Sequence, residues 1–83
     1  MKGKRTALVT GAARGIGRGI SLALAKNGYR VAAVGTRSAE DEKVAEYIAE
    51  LKHLSPDSVY IQADISTDEG RLKIKNETFA ALG

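Results

Sequence analysis

Thr10-Gly11-Ala12-Ala13-Arg14-Gly15-Ile16-Gly17-Arg18-Gly19 is the stretch that decides the fold of this chain. Four glycines in the nine positions from Gly11 to Gly19 disfavour a strand and a helix interior alike, so the stretch opens as a turn. Before it, Ala7-Leu8-Val9 is a short apolar run between threonines. It reads as a strand buried on both faces, about residues 5–10. After it the spacing becomes helical, with Ile16, Ile20, Ala23 and Leu24 at i, i+4, i+7 and i+8. Asn27-Gly28 supplies the helix stop. A junction of strand, glycine turn and helix leaves the first helical amides without intrahelical partners, and the helix dipole adds positive charge there. Such a site suits phosphate. Gly11, Gly15 and Gly17 are spaced for three tasks: a tight turn, close approach of backbone to a diphosphate, and close helix–strand packing. Neither G-x-G-x-x-G nor the Walker A string is present. The pattern is T-G-x-x-x-G-x-G.

Working outward, Val31-Ala32-Ala33-Val34 reads as a second buried strand, and Gly35-Thr36-Arg37 turns off its end. Ser38 opens a second helix with a capping-box pattern, S-A-E-D, followed by a stripe of Val44, Tyr47, Ile48 and Leu51. Lys52 and His53 sit where the dipole favours cations, and Pro56 ends the helix. Val59 to Ile65 is a third strand whose alternation suggests an edge. Ser66 or Thr67 caps a third helix running to Gly83, with Leu72, Phe79 and Leu82 towards the core. The order β-α-β-α-β-α demands a parallel sheet with right-handed crossovers. Arg18 and Lys26 are expected to face solvent, and Tyr47 and Tyr60 to serve packing.

The chain has 83 residues, 43% hydrophobic and 28% charged, which bounds it to one domain with a thin core. No apolar run is long enough to span a membrane, and no secretory signal follows the basic Met1 to Arg5. With no cysteine and one histidine, thiolate sites, multi-histidine metal sites and a His-based triad are excluded within these residues. Charge is asymmetric: residues 1–37 hold eight Lys/Arg and no acid, whereas residues 38–83 hold five bases and ten acids. A basic first half points to an anion. Nucleic acid is disfavoured, because no aromatic platform lies among the basic residues.

The glycine string after a Leu-Val strand resembles the cofactor motif of the short-chain dehydrogenases/reductases. Gly35-Thr36-Arg37 after the second strand and Asp64-Ile65 after the third fall where that family keeps its ribose and adenine contacts. The resemblance runs from Lys4 to Gly83, and the form A-R-G-I-G is most like the 3-oxoacyl-carrier-protein reductase branch. It implies an α/β, partial Rossmann-type fold: a three-stranded parallel sheet of order 3-2-1, with helices on both faces, stopping before the fourth strand. It also implies a cytoplasmic oxidoreductase that passes hydride between NADPH and a carbonyl or alcohol, homo-oligomeric when complete. Gly11, Arg14, Gly15, Ile16 and Gly17 would hold the diphosphate side. Thr36 and Arg37 would take the 2′-phosphate, and Asp64 and Ile65 the adenine. NADP(H) is preferred over NAD because no acid precedes Glu40 at the end of the second strand, and arginine pairs with a phosphate that a carboxylate would repel.

The family's Tyr-x-x-x-Lys pair, its serine and its Asn-Ala-Gly are not among these residues. The expectation is therefore an incomplete NADP(H)-binding N-terminal half, residues 1–83, without catalytic residues of its own. The other reading is an inactive nucleotide-binding or partner-complementing fragment.

Overall fold

The computed structural model describes residues 5–82. Lys2 and Lys4 of the basic start, and the expected helix end at Gly83, lie outside the described residues. Six elements alternate: β1 (Thr6–Thr10), α1 (Gly15–Lys26), β2 (Arg30–Gly35), α2 (Glu42–Leu54), β3 (Val59–Gln62) and α3 (Asp68–Leu82). The strands are parallel with β2 in the middle, the 3-2-1 order expected. Thr6 faces Arg30 across one ladder and Gly35 faces Gln62 across the other.

Period-two alternation along β2 splits the core. Val31 and Ala33 join Ala12, Ala25, Tyr47 and Leu51 on the side of α1 and α2. Ala32 and Val34 join Ile61, Ile74 and Leu82 on the side of α3. Each fully buried Val, Leu or Ile contributes about 1.5–3 kcal/mol. The central strand, buried on both faces, is therefore the principal apolar anchor.

Local chemistry sets the element ends. Gly28 takes φ +92° after the last turn of α1, the Gly28 N–H donates to the Ala25 carbonyl, and the Tyr29 N–H donates to the Leu24 carbonyl. This pair of bonds satisfies helix-end carbonyls and fixes the exit toward β2. Three buried hydroxyl contacts lock the start of β2. The Val31 N–H donates to Ser58 Oγ (2.8 Å), Ser58 Oγ donates to Ser55 Oγ (2.8 Å), and Ser55 Oγ donates to the Tyr29 carbonyl (2.9 Å). Thr67 caps α3, its Oγ1 accepting from the Gly70 N–H. Gly70 is buried, and glycine is required there because a Cβ would collide with the Asp64 carbonyl.

Several expectations need correction. β1 is not buried on both faces. It is an edge strand among those described, and Leu8 remains 52% exposed. The apolar stripe of α1 is likewise uncovered: Ile16, Ile20 and Ala23 are exposed, while the helix buries Ser21 and Ala25. On α3, Leu82 is buried with Ile74, but Leu72 and Phe79 point outward. α2 begins after Asp41, not Ser38. The Asp41 carboxylate accepts from the Lys43 and Val44 amides, while Ser38 Oγ closes a separate turn by accepting from the Glu40 amide. A charged acceptor makes the stronger cap. β3 ends at Gln62 because its partner ends at Gly35. The last ladder bond runs from the Ala63 N–H to the Gly35 carbonyl. Arg18 is half-buried rather than solvated: it pairs with Glu50 at 3.1 Å and lies 5.7 Å from the Tyr47 ring centroid. Tyr47 is buried as expected, and its hydroxyl donates to Ser21 Oγ. Burial pushes its pKa up. No helix among the described residues is long and apolar enough to cross a membrane.

The buried serine relay gives a stability prediction. Ser58→Ala leaves the Val31 N–H without its acceptor in a site too packed for easy hydration. Urea unfolding should show a loss of about 1–3 kcal/mol. A value within error of zero would show that another acceptor replaces Ser58.

Candidate functional site

The carboxyl ends of the three parallel strands meet one cavity of about 600 Å³. Thr10 and Gly11 reach it from β1, Val34 and Gly35 from β2, and Ala63 from the chain leaving β3. Open parallel sheets bind ligands at this end, where loops diverge from the strands. Ala13, Arg14, Thr36, Arg37, Tyr60, Asp64 and Ile65 complete the lining.

On the β1 side the glycine stretch is turn followed by helix, not strand. Gly11 and Gly15 have φ of +61° and +59°, a left-handed conformation that costs side-chain-bearing residues steric energy. Ala12 is driven inward, fully buried, with its N–H donating to the Val34 carbonyl at 3.0 Å. Gly17 packs on the turn so closely that a Cβ would overlap the Gly11 carbonyl. Arg14 stands at the N-cap of α1 in extended conformation, and no side chain caps this end. The first intrahelical bond recorded there is from the Arg18 N–H to the Arg14 carbonyl. The amides of Gly15, Ile16 and Gly17 thus lie in the helix turn that lacks intrahelical acceptors.

On the β2 side, Thr36 and Arg37 lie in the turn past Gly35. Arg37 reaches Asp41 at 3.5 Å, an exposed contact. Pairs of this kind contribute between about 0 and 1 kcal/mol. Its guanidinium can therefore exchange this partner for an anion. The turn's carbonyls are held from β3: Tyr60 Oη donates to the Arg37 carbonyl at 2.7 Å and Gln62 Nε2 to the Thr36 carbonyl at 3.3 Å. Burial, followed by the nearby Asp41 charge, raises the Tyr60 pKa.

Beyond β3, Asp64 Oδ1 accepts from Ser66 Oγ (2.6 Å) and the Ser66 N–H (2.9 Å). These two bonds, the hydroxyl first, hold its carboxyl below the usual range. Asp64 therefore braces the turn that leaves β3, and it also lines the cavity.

Six of the nine expected contact residues, Gly11, Arg14, Thr36, Arg37, Asp64 and Ile65, converge on this cavity. Gly15, Ile16 and Gly17 do not line it. They form the first turn of α1, adjoining Arg14 at its rim. Tyr60 and Gln62 were not expected at the site. Both depend on the β2–β3 register, which a single sequence does not display.

The short chain dehydrogenase family model matches residues 5–83. The chain belongs to the short-chain dehydrogenase family. Among its relatives, 3-oxoacyl-[acyl-carrier-protein] reductase FabG of Staphylococcus aureus (strain Mu50) is 45% identical over 76 residues, covering 90% of this chain and 30% of that protein. The structure of L-sorbose reductase from Gluconobacter frateurii, complexed with NADPH and L-sorbose, superposes with a TM-score of 0.84 at 23% identity, covering 98% of this chain and 30% of that one. Carveol dehydrogenase from Mycobacterium avium, in complex with NAD, gives 0.78 at 24% identity, covering 95% and 32%. This short-chain dehydrogenase chain thus spans less than a third of the length of each of these proteins. The two structural neighbours hold different nicotinamide dinucleotides, so the shared fold alone does not select between them.

The Asp64 turn is testable by titration. Its carboxyl pKa is depressed below 3.8, so the stabilisation from its hydrogen bonds is present above that value and is lost as pH falls through the lowered pKa. Ser66→Ala removes the hydroxyl donor but keeps the amide. Carboxyl-carbon NMR should show the Asp64 pKa rising toward 3.8. An unchanged value would mean that the hydroxyl does not set it.

Proposed function

We propose that residues 1–83 form the N-terminal NADP(H)-binding part of a short-chain oxidoreductase. The observation that carries this reading is the convergence of Arg14, Thr36 and Arg37 on one cavity at the strand ends, with Asp64 and Ile65 at its far side. The glycine turn fits a diphosphate. Its helix end has no side-chain cap, Gly11 and Gly15 keep open space free of Cβ atoms, and Gly17 lets the helix close on the turn. In this reading the first turn of α1 and Arg14 hold the diphosphate side, Thr36 and Arg37 the 2′-phosphate, and Asp64 and Ile65 the adenine. A bound nicotinamide would supply hydride chemistry toward a carbonyl or alcohol. The identity to FabG favours a 3-oxoacyl substrate on an acyl carrier.

Charge supports the phosphorylated cofactor. Val34-Gly35-Thr36-Arg37 offers no carboxylate to a ribose 2′-hydroxyl, while two guanidinium groups border the cavity. Each charge-assisted contact to a phosphate contributes about 1.5–3 kcal/mol, above the exposed Arg37–Asp41 pair. The open edge of β1, flanked by exposed Leu8, Ile16 and Ile20, supports the view that this unit is completed by further sheet.

The test is Arg37→Glu in the full-length protein. NADPH affinity should fall by at least about tenfold, the low end for one lost charge-assisted contact to phosphate, with NADH changed much less. Equal loss for both cofactors rejects the 2′-phosphate assignment.

A further inference from the structure

Backbone pairing between β2 and β3 stops at the bond from the Ala63 N–H to the Gly35 carbonyl. The next two carbonyls of the chain, those of Thr36 and Arg37, would ordinarily turn to water at this exposed turn. Instead each accepts a bond from a β3 side chain, Gln62 Nε2 for Thr36 and Tyr60 Oη for Arg37. Tyr60 and Gln62 are two residues apart on a strand, so they share a face. They continue the ladder with side chains where its backbone bonds end.

The local sequence makes room for this. Gly35 faces Gln62 in the register, and a Cβ on Gly35 would stand 2.5 Å from Tyr60 Oη and 3.3 Å from two of its ring carbons. Any larger residue would push the tyrosine off the turn. Asp41 bounds the other end of the turn: its carboxylate caps α2 and faces the Arg37 guanidinium. The Arg37 backbone is thus held on the β3 side while its side chain keeps only an exposed, weak partner.

We infer that Tyr60, with Gln62, is a positioning residue for 2′-phosphate selectivity, fixing the Thr36–Arg37 turn so that Arg37 meets the phosphate in a set orientation. The inference rests on the 2′-phosphate reading of Thr36 and Arg37. Neither Tyr60 nor Gln62 need touch the phosphate. Their contribution is to reduce the ordering cost that a mobile turn would incur on binding.

The test uses calorimetry on the full-length protein with adenosine 2′,5′-bisphosphate and 5′-AMP, which differ only in the 2′-phosphate. Tyr60→Phe removes the hydroxyl and keeps the ring. It should weaken the bisphosphate about fivefold, the scale of one hydrogen bond, and leave 5′-AMP within about twofold. Arg37→Ala should abolish most of the selectivity. In the Arg37→Ala background, Tyr60→Phe should have no further effect on it, because the two act as one unit. Gln62→Ala, at an exposed position, is the second variant, and its effect should have the same sign. The inference is overturned if Arg37→Ala removes the selectivity but Tyr60→Phe and Gln62→Ala leave the ratio unchanged. It is also overturned if they weaken both ligands equally, the mark of a general structural role. If Arg37→Ala itself leaves the ratio unchanged, the 2′-phosphate reading fails and the inference falls with it.

Discussion

The first turn of α1 rests on the carbonyl of Gly11 so closely that no side-chain carbon fits at Gly17. This contact presses the helix start against the end of β1. It requires Gly11 to turn through a positive φ, sends Ala12 into the core, and leaves Arg14 at the rim. A helix start so placed cannot be covered by its own side chains. Its first amides lack intrahelical acceptors, and Arg14 at its N-cap lines the cavity. The rest of the site is arranged around that fixed electropositive corner.

The sheet supplies the second constraint. Parallel pairing brings all three strand ends to one side, so residues distant in sequence become neighbours: Gly11 and Arg14, Thr36 and Arg37, Asp64 and Ile65. The buried face residues of β2 and the relay from Val31 through Ser58 and Ser55 to Tyr29 hold the strand ends in register. The turns that line the cavity can then be short and locally braced, by Ser66 for Asp64 and by Tyr60 and Gln62 for the Arg37 turn.

Much of this was legible in the residues themselves. The glycine turn, the order of elements and the positions of Thr36, Arg37, Asp64 and Ile65 follow from local patterns: where an apolar run stops, and which polar residue comes next. What escaped depended on distance. The both-face burial assigned to Ala7-Leu8-Val9 presumes a layer over each face, but Leu8 points to the α3 side of the sheet, where α3 packs on β2 and β3. Ile16 and Ile20 on α1, and Leu72 and Phe79 on α3, match a helical period, yet they lie on faces with nothing packed against them. Ser38 had the spacing of a cap but lost the helix to Asp41, whose carboxylate accepts two amides. Tyr60 packs against the core as expected, but its hydroxyl bond to the Arg37 carbonyl depends on the register with β2.

The proposed diphosphate site at the start of α1 is tested most directly by a crystal structure of the full-length protein with NADPH. The expected result places diphosphate oxygens within about 3.2 Å of the backbone amides of Gly15, Ile16 or Gly17 in the first turn of α1, with Arg14 beside them. A diphosphate bound elsewhere, or those amides donating instead to protein carbonyls, would contradict it.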